Sequence, residues 1–227
     1  LRFKIAMDDI LLVGTILLIL VHWYAADREL PIQKLTKPGV MVLLLAWFSL
    51  KGGWSGDNLP FALGLIFSLI GDSLLLWQQR FFLPGLLSFL LAHICYIIGF
   101  NLSLPAFNLW TVVFIVLVAM LWLRAYQAIR RQMDQAAKNK PMRLPVTIYM
   151  VVISLMILSA LLCLTKTDWR FNAALLVSLG GGMFLLSDFL LALQHFGRPI
   201  VKGHVMVMMT YHMAQLAIIA GVVMHKL

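Results

Sequence analysis

Charge is scarce in this 227-residue chain: Asp, Glu, Lys and Arg make up 12% of it, where an ordinary soluble domain carries about 25%. The apolar share is 62%, against about 45 to 50% in such a domain. Together these exclude a soluble globular protein and imply a polytopic membrane protein. Cysteine is scarce as well. Cys95 and Cys163 fall inside apolar runs without metal-ligand spacing, so they read as small buried hydrophobes. Long polar segments are missing too: only 127–143, "QAIRRQMDQAAKNKPMR", is an extended polar and basic connection. No loop holds a soluble domain, and the chain reads as one membrane domain, 1–227. Its formal net charge of +9 sits between apolar runs, not on a basic tail or face, which excludes nucleic acid as a partner and suits a membrane surface.

What is present is a series of long apolar runs. A spanning helix needs about 20 mostly apolar residues, and eight runs approach that length: 9–25, 37–50, 59–77, 82–101, 106–126, 144–164, 171–194 and 203–225. The expected fold is all-α, a single bundle of about eight transmembrane helices. No small-residue cleavage site follows residues 8–25, so that run reads as the first membrane helix and not as a signal sequence. The second span begins at Lys37-Pro38, since Pro suits a first helical turn.

Lys and Arg set the orientation, because cytoplasmic loops carry the excess. With eight spans, one side holds Arg2, Lys4, Lys51, Lys166, Arg170 and Lys226. The other holds the remaining twelve: Arg28, Lys34, Lys37, Arg80, Arg124, Arg130, Arg131, Lys138, Lys140, Arg143, Arg198 and Lys202. Both termini are therefore expected outside, in a bacterial inner membrane, with the odd-numbered loops in the cytoplasm.

Two of the few acids lie inside spans. "FSLIGDSLLL" holds Asp72 and "GGMFLLSDFLLAL" holds Asp188, each after a small residue (Gly71, Ser187) and two before a leucine (Leu74, Leu190). A charged side chain at the bilayer centre costs about 2.5 to 3.5 kcal/mol on insertion scales, so an intramembrane acid points to function. Both precede their cytoplasmic ends by about six residues, ~9 Å along a helix. Gly64, Ser68 and Asp72 recur at four-residue steps, and Gly181, Phe184, Asp188, Ala192 and His195 at three or four, so each acid lies on a stripe containing small residues that is expected to face the bundle interior. Gly180 to Gly182 read as a packing device or a flexible point.

Other polar residues converge on that half of the membrane. The fourth span carries His93 and Tyr96, the eighth Tyr211, His212 and Gln215, with His204 at the rim, and Lys37 opens the second with an ammonium that can meet an anionic group. His22 and His225 are set aside as lying near the opposite ends of their helices. Singly, each of these has an ordinary packing explanation; the matched pair of acids does not.

Five segments in order, "KPGVMVLLL", "FSLIGDSLLL", "FLPGLLSFLLAHICYIIGF", "GGMFLLSDFLLAL" and "YHMAQLAIIAG", resemble the YhhN family of membrane proteins, the lysoplasmalogenases. The family's usual Tyr-Tyr-x-x-Gln-like stretch has His212 in its second place here. The resemblance implies an eight-helix enzyme that cleaves the vinyl ether bond of lysoplasmalogen, releasing a fatty aldehyde and a glycerophospho-head-group, with Asp72 and Asp188 matching the suspected catalytic pair. Lys37, His93, Tyr96, Tyr211 and Gln215 are expected to bind substrate.

Two buried acids suit that chemistry. Protonating the outer alkene carbon of a vinyl ether leaves an oxocarbenium ion that water captures, and the hemiacetal collapses to aldehyde and alcohol. One proton donor and one carboxylate are needed, as around the similar cation of glycosidases. No metal or cofactor is expected, and the partners are a lysophospholipid substrate and membrane lipid; the oligomeric state is not legible. Two other readings compete: a zinc hydrolase using His93, His204 and His212 with one of the aspartates, and a proton-coupled transporter.

Overall fold

The computed structural model describes residues 7–105, 107–135, 137–197 and 200–226. Arg2, Lys4, Arg198 and the side chain of Lys138, all used in the charge count, lie outside this description. Eight α-helices are described: α1 (Met7–Asp27), α2 (Gln33–Leu50), α3 (Leu59–Leu74), α4 (Gln78–Phe100), α5 (Leu109–Asp134), α6 (Arg143–Leu162), α7 (Phe171–Phe196) and α8 (Gly203–Lys226). All but α2 belong to segments long and apolar enough to cross a membrane, so the chain is an integral, multi-pass, all-α membrane protein. The helix α2 falls short because Gln33, Lys34, Thr36 and Lys37 occupy its first turns. It nevertheless runs back along α1, since His22 meets Thr36 at one end and Lys51 donates to Asp8 at the other.

Three boundaries differ from expectation for local reasons. The second helix starts at Gln33, which leaves Pro38 inside it; the ring removes one hydrogen bond in the second turn, and the helix continues. The helix α5 runs on to Asp134, eight residues beyond the apolar run, because Gln, Ala, Arg and Met are good helix formers even where they are too polar for lipid. Phe81 has non-helical angles (φ −116°, ψ 24°) and breaks α4, so Pro84 sits in the first turn of the part that follows, where its missing N–H costs nothing.

The helices gather into two compact units that meet in sequence between Cys95 and Tyr96. In the first, Met41, Leu44, Phe48, Phe61 and Leu65 form a buried core on α2 and α3. Gly71 lies under the ring of Phe89, where a Cβ would come within 2.6 Å of a ring carbon, so α3 and α4 approach more closely than any side chain there would allow.

In the second unit α7 and α8 interlock at two glycines. A Cβ on Gly180 would meet the Ala214 carbonyl at 2.9 Å, and one on Gly221 the Ala173 carbonyl at 2.9 Å. Gly181 faces Ala160 of α6, and Ser178 donates from Oγ to the Ala160 carbonyl at 2.9 Å. These contacts make the glycine run a packing device, the usual role of small residues between membrane helices. At the end of this unit that carries Phe100, buried Lys166 donates to the carbonyls of Phe100 and Ser103, a cation on the open end of α4. Trp169 stacks on His225 beside it, with centroids 4.1 Å apart.

Candidate functional site

Asp72 closes the stripe Gly64, Ser68, Asp72 on α3, and all three are buried. Only 1% of Asp72 is exposed. A carboxylate in such a place must be compensated, and α2 supplies the compensation: Lys37 Nζ lies 3.4 Å from Asp72 Oδ1. Lys37 is itself 6% exposed, so its ammonium turns inward to an acid and does not simply anchor the helix at the headgroups.

His22 lies at the same end. Its Nδ1 is 2.8 Å from Thr36 Oγ1, beside Lys37 in sequence, which corrects its dismissal as a residue of the opposite end. The connection between α1 and α2 is short and the two helices are antiparallel, so the last turn of one meets the first turn of the other. His93 is fully buried on the α4 face that carries Phe89, one turn away. Ser88 Oγ donates to the Phe67 carbonyl at 2.7 Å and ties this part of α4 to α3.

Asp188 sits half-buried on α7. A hydroxyl of the neighbouring helix serves it: Tyr149 of α6 donates from its OH to Asp188 Oδ2. Tyr149 is a residue that sequence reasoning missed. The only signal was a lone phenol inside the apolar run of α6, a common packing aromatic on its own. Ser187, the small residue before Asp188, donates to the Val207 carbonyl at 3.1 Å and holds α7 to α8.

The other expected binding residues are placed as follows. Tyr96 donates from its OH to Gln215 Oε1 at 2.7 Å, and both are fully buried. They therefore join α4 to α8 directly. Tyr211 packs edge-on against Phe184, 5.5 Å between centroids at 80°, one turn before Asp188 on the α7 stripe. His212, buried, tilts against Tyr211, while His204 is exposed at the start of α8. Among the described residues no group of three His, Cys, Asp or Glu side chains is placed to hold a metal ion. The aspartates, similar in sequence, differ in burial, Asp72 fully buried beside an ammonium and Asp188 half-buried beside a phenol.

Comparison with known proteins finds relatives of this chain. Lysoplasmalogenase TMEM86A of Homo sapiens is 29% identical over 158 residues, covering 68% of this chain and 61% of its own length. The Bos taurus TMEM86A lysoplasmalogenase is 30% identical over the same shares. Lysoplasmalogenase TMEM86B of Homo sapiens is 30% identical over 178 residues, 78% of this chain and 70% of that protein. The matched part thus spans about three fifths of the TMEM86A relatives. No solved structure matches significantly. Residues 32–222 match the YhhN family, from the start of the helix that carries Lys37 to the last turns of α8, and the chain belongs to that family.

Proposed function

We propose that this protein is a lysoplasmalogenase, a hydrolase that splits the vinyl ether bond of a lysoplasmenylethanolamine or lysoplasmenylcholine into a fatty aldehyde and a glycerophospho-head-group. Its relatives carry that name. The observation that carries the reading is the pair of intramembrane carboxylates, Asp72 fully buried beside Lys37 and Asp188 half-buried with Tyr149 donating to it. A vinyl ether needs one acid and one carboxylate, and unlike environments are how proteins divide two similar groups between such roles.

Asp188 is the proton donor in this reading. Tyr149 holds it through Oδ2, and its carboxyl delivers the proton to the outer alkene carbon. Asp72, whose charge the Lys37 ammonium balances, is the carboxylate that stabilises the oxocarbenium ion and takes a proton from the attacking water. The hemiacetal then releases the alcohol and collapses to the aldehyde. Lys37, His93, Tyr96, Tyr211 and Gln215 are the residues proposed to bind substrate, with Lys37 taking its phosphate. We place Lys37 toward the cytoplasmic face of a bacterial inner membrane, with both termini on the other side, following the excess of Lys and Arg.

The test is to incubate purified protein with a lysoplasmalogen and with the matching ester lysolipid. Free fatty aldehyde from the first and no fatty acid from the second supports the proposal. Fatty acid from the ester without aldehyde from the ether would replace it with an ordinary lysophospholipase.

A further inference from the structure

The basic connection after α5 takes no part in the proposed reaction, yet its two ends build a cleft. Between the last turns of α5 and the first of α6 lies a cavity of about 140 Å³. Arg130 and Arg143 line it together with Ile129, Met133, Val146 and Met150. The arginine side chains are half-exposed, whereas Ile129, Met133 and Val146 are buried. The cleft is therefore charged at its outer end and apolar further in.

Its charge is incompletely balanced. Arg143 Nη2 donates to Asp134 Oδ1, and Arg130 Nε lies 3.8 Å from Asp134 Oδ2. One carboxylate thus serves two guanidiniums, leaving one positive charge. Arg143 Nε is buried and meets no hydrogen-bond partner among the described residues. A buried donor in that state costs free energy that an incoming acceptor would recover.

Guanidinium forks match phosphate oxygens two at a time. The cleft also lies where two spanning segments end, the level at which lipid phosphates sit. A phosphodiester carries one negative charge, which equals the excess in the cleft, and an acyl chain continues from it into an apolar channel. We propose that this cleft holds an anionic membrane phospholipid, its phosphate on Arg143 and Arg130 and one acyl chain against Ile129, Met133, Val146 and Met150. The site is independent of the lipid that is hydrolysed.

The test is native mass spectrometry of the full chain in detergent, titrated with phosphatidylglycerol. Arg143→Gln or Arg130→Gln should weaken retention about tenfold, the loss of a hydrogen bond to a charged group. Asp134→Asn, which removes the competing carboxylate, should tighten it about threefold. That gain guards against misfolding, since a damaged cleft would not bind more strongly. Equal retention by all three variants overturns the proposal. So does diacylglycerol binding as tightly as phosphatidylglycerol, which would mean that chains alone are held. Displacement of the lipid by millimolar inorganic phosphate, with the same response to the variants, would make the site one for a free anion and overturn it equally.

Discussion

Lys37 and Asp72, 35 positions apart in the chain, form a buried ion pair across α2 and α3, with Nζ 3.4 Å from Oδ1. Each charge makes the other tolerable in a medium where either alone would be expensive. Stability and the proposed reaction are consequently linked at this pair.

Asp72→Asn and Asp188→Asn should each abolish aldehyde release, because an amide neither donates an acid proton nor carries the charge. Their stabilities should differ. Asp72→Asn strands a buried ammonium, a loss of about 3 to 5 kcal/mol. Asp188→Asn leaves a phenol that can still donate to the amide oxygen. Melting curves on the two purified variants check this, and equal stability would mean that the Lys37 pair contributes nothing.

The double variant Asp72→Asn/Lys37→Met removes both charges together. It should recover most of the stability lost in Asp72→Asn while remaining inactive, since the two effects are not additive for groups in contact. Lys37→Met by itself should lower kcat more than it raises KM, as expected for a residue that acts through the carboxylate proposed to stabilise the cation. A raised KM with kcat preserved would instead make Lys37 solely a phosphate contact.

Tyr149→Phe keeps the ring and deletes the hydroxyl that orients Asp188. Loss of one hydrogen bond to such a group corresponds to about a ten- to hundredfold fall in kcat, with KM nearly unchanged. Steady-state kinetics on lysoplasmalogen would show it. A lowered melting temperature with normal kcat would reduce the contact to packing.

Chelation with EDTA or a stronger zinc chelator should leave turnover intact, because every step of the proposed mechanism is carried by side chains. Loss of activity that zinc restores would favour the metal-dependent hydrolase.

Away from the acids, the Ser103 hydroxyl donates to Asp168 Oδ2 at 2.7 Å and holds that carboxyl below the usual aspartate value. A carboxyl lowered by folding stabilises the fold above its ordinary value and loses that contribution as pH falls through the lowered one. Ser103→Ala should therefore flatten the fall in melting temperature between about pH 5 and pH 3. An unchanged slope would show that the hydrogen bond does not favour the ionised form.

Composition and hydropathy alone determined that this is an all-helical membrane protein, because lipid leaves a spanning backbone almost no alternative to satisfying its own hydrogen bonds. The two acids were legible for a related reason: in an apolar run an Asp costs too much to be incidental. Their partners were not legible. Nothing in the local sequence of Lys37 distinguishes a headgroup anchor from the counter-charge of Asp72, and a phenol in α6 looks like any packing aromatic until α7 is laid beside it. His22 was misassigned for the same reason, since the turn between α1 and α2 decides which helix ends meet. Even the reach of α5 depended on more than hydropathy, for "QAIRRQMD" is too polar to read as a span yet helical by propensity. Residue type marks what is costly to bury. Which group offsets that cost depends on how the helices pair, and the tertiary structure alone decided that Asp72 would face an ammonium and Asp188 a hydroxyl.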